Sequence, residues 1–327
     1  MNRLETNFAG LSLKNPIIVS SSGLTDSAEK CLMLEQAGAG AVVLKSIFEE
    51  QIMQEYDRWN DVNVSEGHEY LDTYLRMNSL NEYVELIKEA KRVCSIPVIA
   101  SINCNSRSEW GSFAQLVEDA GADALELNIM QIQTEREYVY GTSEQVHIDI
   151  LDEVKKHTRL PIIMKLGLNL SCPIALIDQL YANGVAAVVL FNRPYRPDVN
   201  INSLSFSAGE MWTRPSDICE SLRWTAIASA KVPMLDYAVS GGVHDGWAVV
   251  KAVLTGASVV EICTTIYQNG MPRIGTMKVQ LEEWMIQHGY KHLNQFKGRL
   301  NSYAVMNPNV YERTQFMRYY SQLKSIV

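Results

Sequence analysis

The chain reads as an α/β protein of the (β/α)8 TIM-barrel class, and three features of the sequence carry that expectation. Short apolar runs rich in Val and Ile recur along the whole length, as buried parallel strands require. Two punctuation phrases introduce them in alternation, and segments with helical patterning fill the gaps. The length of 327 residues exceeds the roughly 250 that such a barrel typically needs.

The first phrase is a proline followed by apolar residues: Pro16-Ile17-Ile18-Val19, Pro97-Val98-Ile99-Ala100, Pro161-Ile162-Ile163-Met164 and Pro233-Met234-Leu235. Proline is tolerated at a strand's first position, where it removes no ladder hydrogen bond. The second phrase is a glycine turn and another apolar run, beginning at Gly38, Gly121, Gly184 and Gly256. Glycine suits the left-handed cap that ends a helix before a strand. Helical patterns cover residues 27–37, 81–93, 108–120, 144–157, 173–182, 215–230 and 245–255. Eight strands alternating with helices favour closure, which leaves no exposed edge. The competing open, doubly wound sheet calls for a glycine-rich fingerprint after strand one, and Ser20-Ser21-Ser22-Gly23 is not one. No linker divides the chain, so residues 1–300 are expected to form the barrel. Residues 301–327, with Tyr319, Tyr320 and Leu323, are expected to form a helical extension of the same domain.

Composition narrows the function. The 29 Lys and Arg against 37 Asp and Glu give a net charge of −8 without a basic block, which argues against nucleic acid. The longest apolar run, Val185 to Phe191, is far below the roughly 20 residues of a membrane span. The N-terminus lacks a signal-peptide pattern, and the six cysteines contain no CxxC pair, which points to a reduced, cytoplasmic protein without a metal site.

Barrel enzymes work at the C-terminal strand ends. Those positions hold Ser20-Ser21-Ser22-Gly23, Lys45-Ser46, Asn103-Cys104, Asn128, Lys165, Asn192-Arg193, Ser240-Gly241-Gly242 and Cys263-Thr264. Lys45 and Lys165 each close an apolar strand, and a buried lysine is costly unless paired, so an anionic ligand is expected to offset them. Gly241-Gly242 before a helix, beside Cys263-Thr264, is the kind of backbone that cradles phosphate.

These residues carry a resemblance. The stretches LSLKNPIIVSSSG, PVIASINCNSRSEWGSFAQLVEDAGADALELN, SGGV and GYKHLNQFKGRL resemble the class 1 dihydroorotate dehydrogenases and the pyrimidine-reducing domain of dihydropyrimidine dehydrogenase, from about residue 4 to 300. The resemblance implies FMN across the barrel mouth. Ser21, Ser22, Gly23, Lys45 and Ser46 would then run along the flavin, with Asn103 and Asn128 on the ring or ribityl chain. Lys165 would sit at the N1–O2 edge, where a cation stabilises the reduced ring. Gly241, Gly242, Cys263 and Thr264 would hold the phosphate, with Ala208-Gly209 nearby. Lys45, a candidate catalytic group, would meet the substrate with Asn128 and Asn192, and Asn192 would touch the cofactor as well. Arg193, which stands where the family usually has serine or threonine, is a further substrate-binding candidate. The implied reaction passes a hydride between pyrimidine C6 and flavin N5, while a cysteine or serine exchanges the C5 proton.

The chain departs from the family pattern at that base. An Asn-Leu-Ser-Cys-Pro-Asn type of motif is matched by Asn128-Ile129-Met130-Gln131-Ile132-Gln133, which puts Gln131 at the base's position. A carboxamide takes up no proton near neutral pH. Cys104, Tyr138, Tyr140 and His147 are candidate replacements, although Cys104 also fits a small buried hydrophobe. His244 reads as a helix-start residue. The segment 75–80 offers no counterpart for the family's substrate-loop asparagine. Arg193 and Arg196 fit either surface ion pairs or a clamp for an anionic substrate. Three readings stay open: a dihydroorotate or cyclic-pyrimidine dehydrogenase, an ene-reductase for another unsaturated carbonyl compound, and a flavin-binding subunit without substrate chemistry. The resemblance implies a homodimer. The absence of a cluster-binding motif or dinucleotide fingerprint implies a partner for any electrons passed to NAD or ferredoxin.

Overall fold

The computed structural model describes residues 3–48, 68–103, 110–134, 136–307 and 309–313, the side chains of 68–79 and 110–112 excepted. Eight parallel strands close into a barrel: β1 (Ile17–Val19), β2 (Ala41–Val43), β3 (Val98–Asn103), β4 (Ala124–Ile129), β5 (Ile162–Leu166), β6 (Ala187–Leu190), β7 (Asp236–Ser240) and β8 (Val259–Ile262). Each pairs in parallel with the next, and Ile262 on β8 pairs with Val19 on β1 to complete the ring. Helices α1 (Ala28–Gln36), α2 (His68–Val93), α3 (Trp110–Asp119), α4 (Thr142–His157), α5 (Pro173–Ala182), α6 (Ile218–Lys231) and α7 (Gly246–Thr255) alternate with the strands. The (β/α)8 expectation holds.

Local chemistry sets several boundaries. Ser27 caps α1 by accepting from the Lys30 N–H, and Asp245 caps α7 by accepting from the Ala248 N–H. Pro173 opens α5, where its missing N–H is no loss. Gly256 ends α7 at φ 117°, the left-handed cap that its phrase anticipates.

The alternation of side chains builds two cores. Outward residues such as Leu125, Leu127 and Val188 pack under the helices. Inward residues Ile18, Ala41, Val43, Ile99, Ala124, Ile163, Ala187, Val189, Ala238 and Val259 fill the lower barrel. A hairpin of Thr6–Phe8 and Leu11–Leu13 closes the bottom and inserts Phe8, Ala9 and Leu13 into that layer. Asp236 and the Ser258 carbonyl, at the N-terminal ends of β7 and β8, fasten it through the Ala9 N–H and the Thr6 hydroxyl. Phe8 is fully buried, so Phe8→Ala is expected to destabilise the protein by about 3–5 kcal/mol. A urea melt measures this loss.

Several boundaries differ from expectation. The seventh strand starts at Asp236, not at Pro233. Pro233 and Met234 form an exposed turn after α6, while the Tyr237 hydroxyl reaches back to the carbonyls of Ala228 and Val232. The second helix begins at His68, upstream of residue 81. The 215–230 segment divides into a 3-10 turn, Pro215–Asp217, and α6. Elements not anticipated include the bottom hairpin, a second hairpin of Pro197–Asn200 and Ser205–Ala208 in the sixth loop, the short strand Ile47–Phe48, and the helices Thr264–Asn269 and Arg273–Gln287. Beyond residue 300 the described residues include the short helix Asn309–Glu312; Tyr319, Tyr320 and Leu323 lie outside the described residues.

Candidate active site

Above the apolar floor the inward positions turn polar. Ser101, Glu126, Asn128, Lys165 and Glu261 occupy strands β3, β4, β5 and β8, and all are buried. Lys165 Nζ lies 2.5 Å from Glu261 Oε2 and 3.5 Å from Glu126 Oε1. Burial pushes the Glu126 carboxyl well above the ordinary carboxylate range, and the neighbouring Glu261 adds to the rise. Burial alone would lower the Lys165 ammonium, but the two glutamates hold it above its usual value.

This arrangement corrects the expectation that an exogenous anion offsets both lysines. The protein itself supplies the counter-charge to Lys165, and Lys45 is exposed and bears no desolvation cost that needs offsetting. Glu126 and Glu261 were missed by sequence reasoning, although a signal was present. Each is a charged residue inside an apolar strand, and Glu126 shares parity with Asn128.

A chain of short hydrogen bonds crosses four strand ends. Asn128 Nδ2 donates to Ser101 Oγ at 2.8 Å, Ser101 Oγ lies 2.8 Å from Ser46 Oγ, and Ser46 Oγ lies 2.9 Å from Ser21 Oγ. Tyr83 braces it from α2, its hydroxyl accepting from the Ser101 N–H and donating to the Ser101 carbonyl. The carboxamide of Asn128 is thereby oriented before any ligand arrives.

Over the cluster opens a cavity of about 430 Å³. Ser21, Lys165, Asn192, Arg193, Gly241, Gly242, Glu261, Cys263 and Thr264 line it together with Trp212 and Tyr267. Gly241 and Gly242 have φ of 86° and 73°, a region that side chains rarely adopt. A Cβ at Gly241 would point into open space, whereas one at Gly242 would lie 2.2 Å from the Ile218 nitrogen. Among the described residues, no protein acceptor takes the N–H of Gly241 or Gly242. Thr264 Oγ1 accepts from the Thr213 N–H, which leaves the hydroxyl hydrogen free to donate. Burial holds the Cys263 thiol above its ordinary value, so it is a neutral group here. Trp212 and Tyr267, with ring centroids 5.2 Å apart, form an aromatic wall, and a side chain at Gly23 would crowd the Tyr267 hydroxyl. Nothing in the local sequence marks this pair, since it is assembled by loop six and the short helix Thr264–Asn269 that follows β8.

Most other candidates lie outside that lining. Gly209 sits at the foot of the exposed hairpin, its N–H donating to the Arg196 carbonyl. Arg193 faces the cavity, but its guanidinium already binds Asp217 Oδ2 and the carbonyls of Glu210 and Trp212. Arg196 is exposed. Asn103, at the end of β3, and Ser22, in the first loop, are partly buried. Gln131 is partly buried in the loop after β4, its carboxamide oxygen accepting from Gln133. Tyr140 is exposed, and the Tyr138 hydroxyl accepts from the Ser143 N–H. His147 is buried, which pushes its imidazole below the usual value, and its Nδ1 lies 2.7 Å from the Ser143 carbonyl. His244 precedes the α7 cap and packs its Nε2 against the Thr213 hydroxyl. Cys104 lies outside the described residues, as do the side chains of 75–79. No helix among the described residues is long and apolar enough to cross a membrane.

Comparison with known proteins agrees with the architecture. A family model described as dihydroorotate dehydrogenase matches residues 3–207, more than half of the chain. The dihydroorotate dehydrogenase B (NAD(+)) catalytic subunit of Thermoplasma volcanium is 26% identical over 307 residues, covering 91% of this chain and 98% of the relative. The NAD-dependent dihydropyrimidine dehydrogenase subunit PreA of Escherichia coli K12 is 24% identical over 325 residues, covering 92% and 78%. The chloroplastic dihydropyrimidine dehydrogenase (NADP(+)) of Arabidopsis thaliana is 21% identical, covering 95% and 80%. With a closed barrel, a polar mouth over Lys165 and this match, the chain belongs to the dihydroorotate dehydrogenase family.

Proposed function

We propose that the protein is an FMN-dependent oxidoreductase acting on the CH–CH bond of dihydroorotate or a related cyclic pyrimidine. The observation that carries this reading is the joint lining of one cavity by Lys165, the Gly241-Gly242 backbone and Thr264. The donor set fits a flavin nucleotide. Two unclaimed glycine N–H groups and a free hydroxyl hydrogen suit a phosphate, and an ammonium suits the electron-rich edge of the ring. FMN, when bound, supplies a two-electron acceptor for a hydride leaving pyrimidine C6.

The chain's own groups do the rest. Gly241, Gly242, Cys263 and Thr264 hold the phosphate; Ser21, Ser22, Gly23, Lys45, Ser46 and Asn103 line the ring and ribityl chain. Asn128, pre-oriented by Ser101, and Asn192 offer amides to the pyrimidine. Lys45 and Arg193 add positive charge around an anionic substrate, with Arg193 held in place by Asp217. Residues 1–300 form the catalytic barrel in this reading, and 301–327 extend it.

Relatives are named as subunits of NAD-linked enzymes, which supports an electron-transfer partner for this chain. Anaerobic mixing of the FMN-loaded protein with dihydroorotate tests the reading. Bleaching of the yellow oxidised flavin is expected, and a persistent oxidised spectrum contradicts it.

One observation favours a second reading. Gln131, at the position of the family's base, cannot accept a proton, which suits reduction of a different unsaturated carbonyl compound. Gln131→Cys separates the two. If the protein handles pyrimidines and lacks only the base, the thiol is expected to raise kcat/KM for dihydroorotate at least about tenfold, within the range of general-base contributions. An unchanged rate, together with reoxidation of the reduced flavin by enones, favours the second reading.

A further inference from the structure

Lys165 is usually expected to lend positive charge to whatever lies above it. In this barrel the ammonium is flanked by two carboxyl groups on different strands, Glu126 on β4 and Glu261 on β8, the latter also lining the cavity. Glu126 is fully buried and Glu261 nearly so. Glu126 Oε2 has no hydrogen-bond partner among the described residues. Two buried carboxylates around one ammonium would leave a net negative charge in a largely water-excluded interior, which is strongly disfavoured. One shared proton makes the group neutral, with one negative charge set against Lys165. Burial and mutual repulsion support that count by favouring the neutral form of Glu126. Tyr83 and Cys263 are within electrostatic reach, and burial holds both in their neutral forms.

Resting on the flavin reading above, we infer that Glu126 and Glu261 act together as positioning residues that lower the reduction potential of the bound flavin. They do so by presenting one negative charge to Lys165. Two-electron reduction with uptake of one proton adds one negative charge at the ring. A lone ammonium below the N1–O2 edge would stabilise that charge, and an ammonium already paired at 2.5 Å stabilises it less. The two carboxyl groups back each other up. When one is removed, the other loses its repulsive neighbour and can carry the charge alone.

The test compares wild type with Glu126→Gln, Glu261→Gln and the double variant. Potentials of bound FMN are measured spectroelectrochemically at pH 7, with the electrode supplying the electrons. The double variant is expected to favour the reduced form at least about tenfold more than wild type, about 30 mV for a two-electron couple. Each single variant is expected to shift the equilibrium by less than about threefold. Infrared spectroscopy of the flavin-free protein gives a second readout. A protonated buried carboxyl band is expected in wild type and expected to be lost in either single variant, because the remaining glutamate then ionises against Lys165. A double variant that binds FMN at wild-type potential overturns the inference. Where the double variant does not fold, persistence of the carboxyl band in both single variants overturns it. Failure of the wild type to bind FMN instead overturns the flavin reading and leaves the infrared outcome to judge the shared proton.

Discussion

Lys165→Met is expected to destabilise the folded protein by about 3–5 kcal/mol near neutral pH, the usual consequence of removing one partner from a buried ionic group. Methionine fills much the same volume, so the loss is electrostatic, because Glu126 and Glu261 are left without their cation. The pH dependence identifies the cause. A carboxyl whose pKa is higher in the folded chain binds more protons when folded, so its contribution to stability falls as pH rises. Burial and Glu261 already place Glu126 in this class, and loss of the ammonium removes the larger of the two groups, Lys165 and Asn128, that oppose the rise. The deficit of the variant is therefore expected to be small near the ordinary carboxylate value of 4.5 and to grow as pH rises above it. Urea denaturation at two pH values measures the difference. Equal deficits at both would show that Lys165 contributes through packing instead.

The second large effect separates two adjacent glycines. Gly242→Ala places a methyl group 2.2 Å from the Ile218 nitrogen, on backbone at φ 73°. The left-handed backbone alone costs roughly 1–2 kcal/mol, and the clash displaces the start of α6 as well. Thermal unfolding should detect a lower midpoint than for any other loop substitution at the mouth. Gly241→Ala carries comparable backbone strain, but its methyl group meets no atom within 4 Å, at a residue that lines the cavity. Its expected signature is opposite: a modest loss of stability, and FMN affinity weakened at least about tenfold, or about 1.4 kcal/mol. Matching losses of stability in the two variants would contradict the assignment of Gly241 to the ligand side.

Much of this architecture was legible because it follows from local rules. The proline and glycine phrases mark real strand entries in seven of the eight cases; only Pro233 precedes a turn that delays β7 to Asp236. Cap residues Ser27 and Asp245 and the helix-opening Pro173 behave as their chemistry dictates. The convergence of Lys165, Gly241, Gly242, Cys263 and Thr264 on one cavity follows from closure of the ring, which places all strand ends on one rim. What local patterning does not convey is which groups meet across the barrel. Glu126, Lys165 and Glu261 are far apart in sequence, and their contact depends on inward positions of three strands that only the closed ring brings together. The same holds for the Trp212–Tyr267 wall, made by the sixth loop and the short helix after β8. The partners of Arg193 were also hidden, since Asp217 and the Glu210 and Trp212 carbonyls belong to a loop with no regular pattern.

The central claim is that a phosphate-bearing flavin occupies the cavity above Lys165. Equilibrium dialysis of the flavin-free protein against FMN tests it most directly. Saturable uptake of one FMN per chain, weakened by Gly241→Ala at preserved fold, is the predicted result. A folded wild-type protein that takes up no FMN would contradict the account.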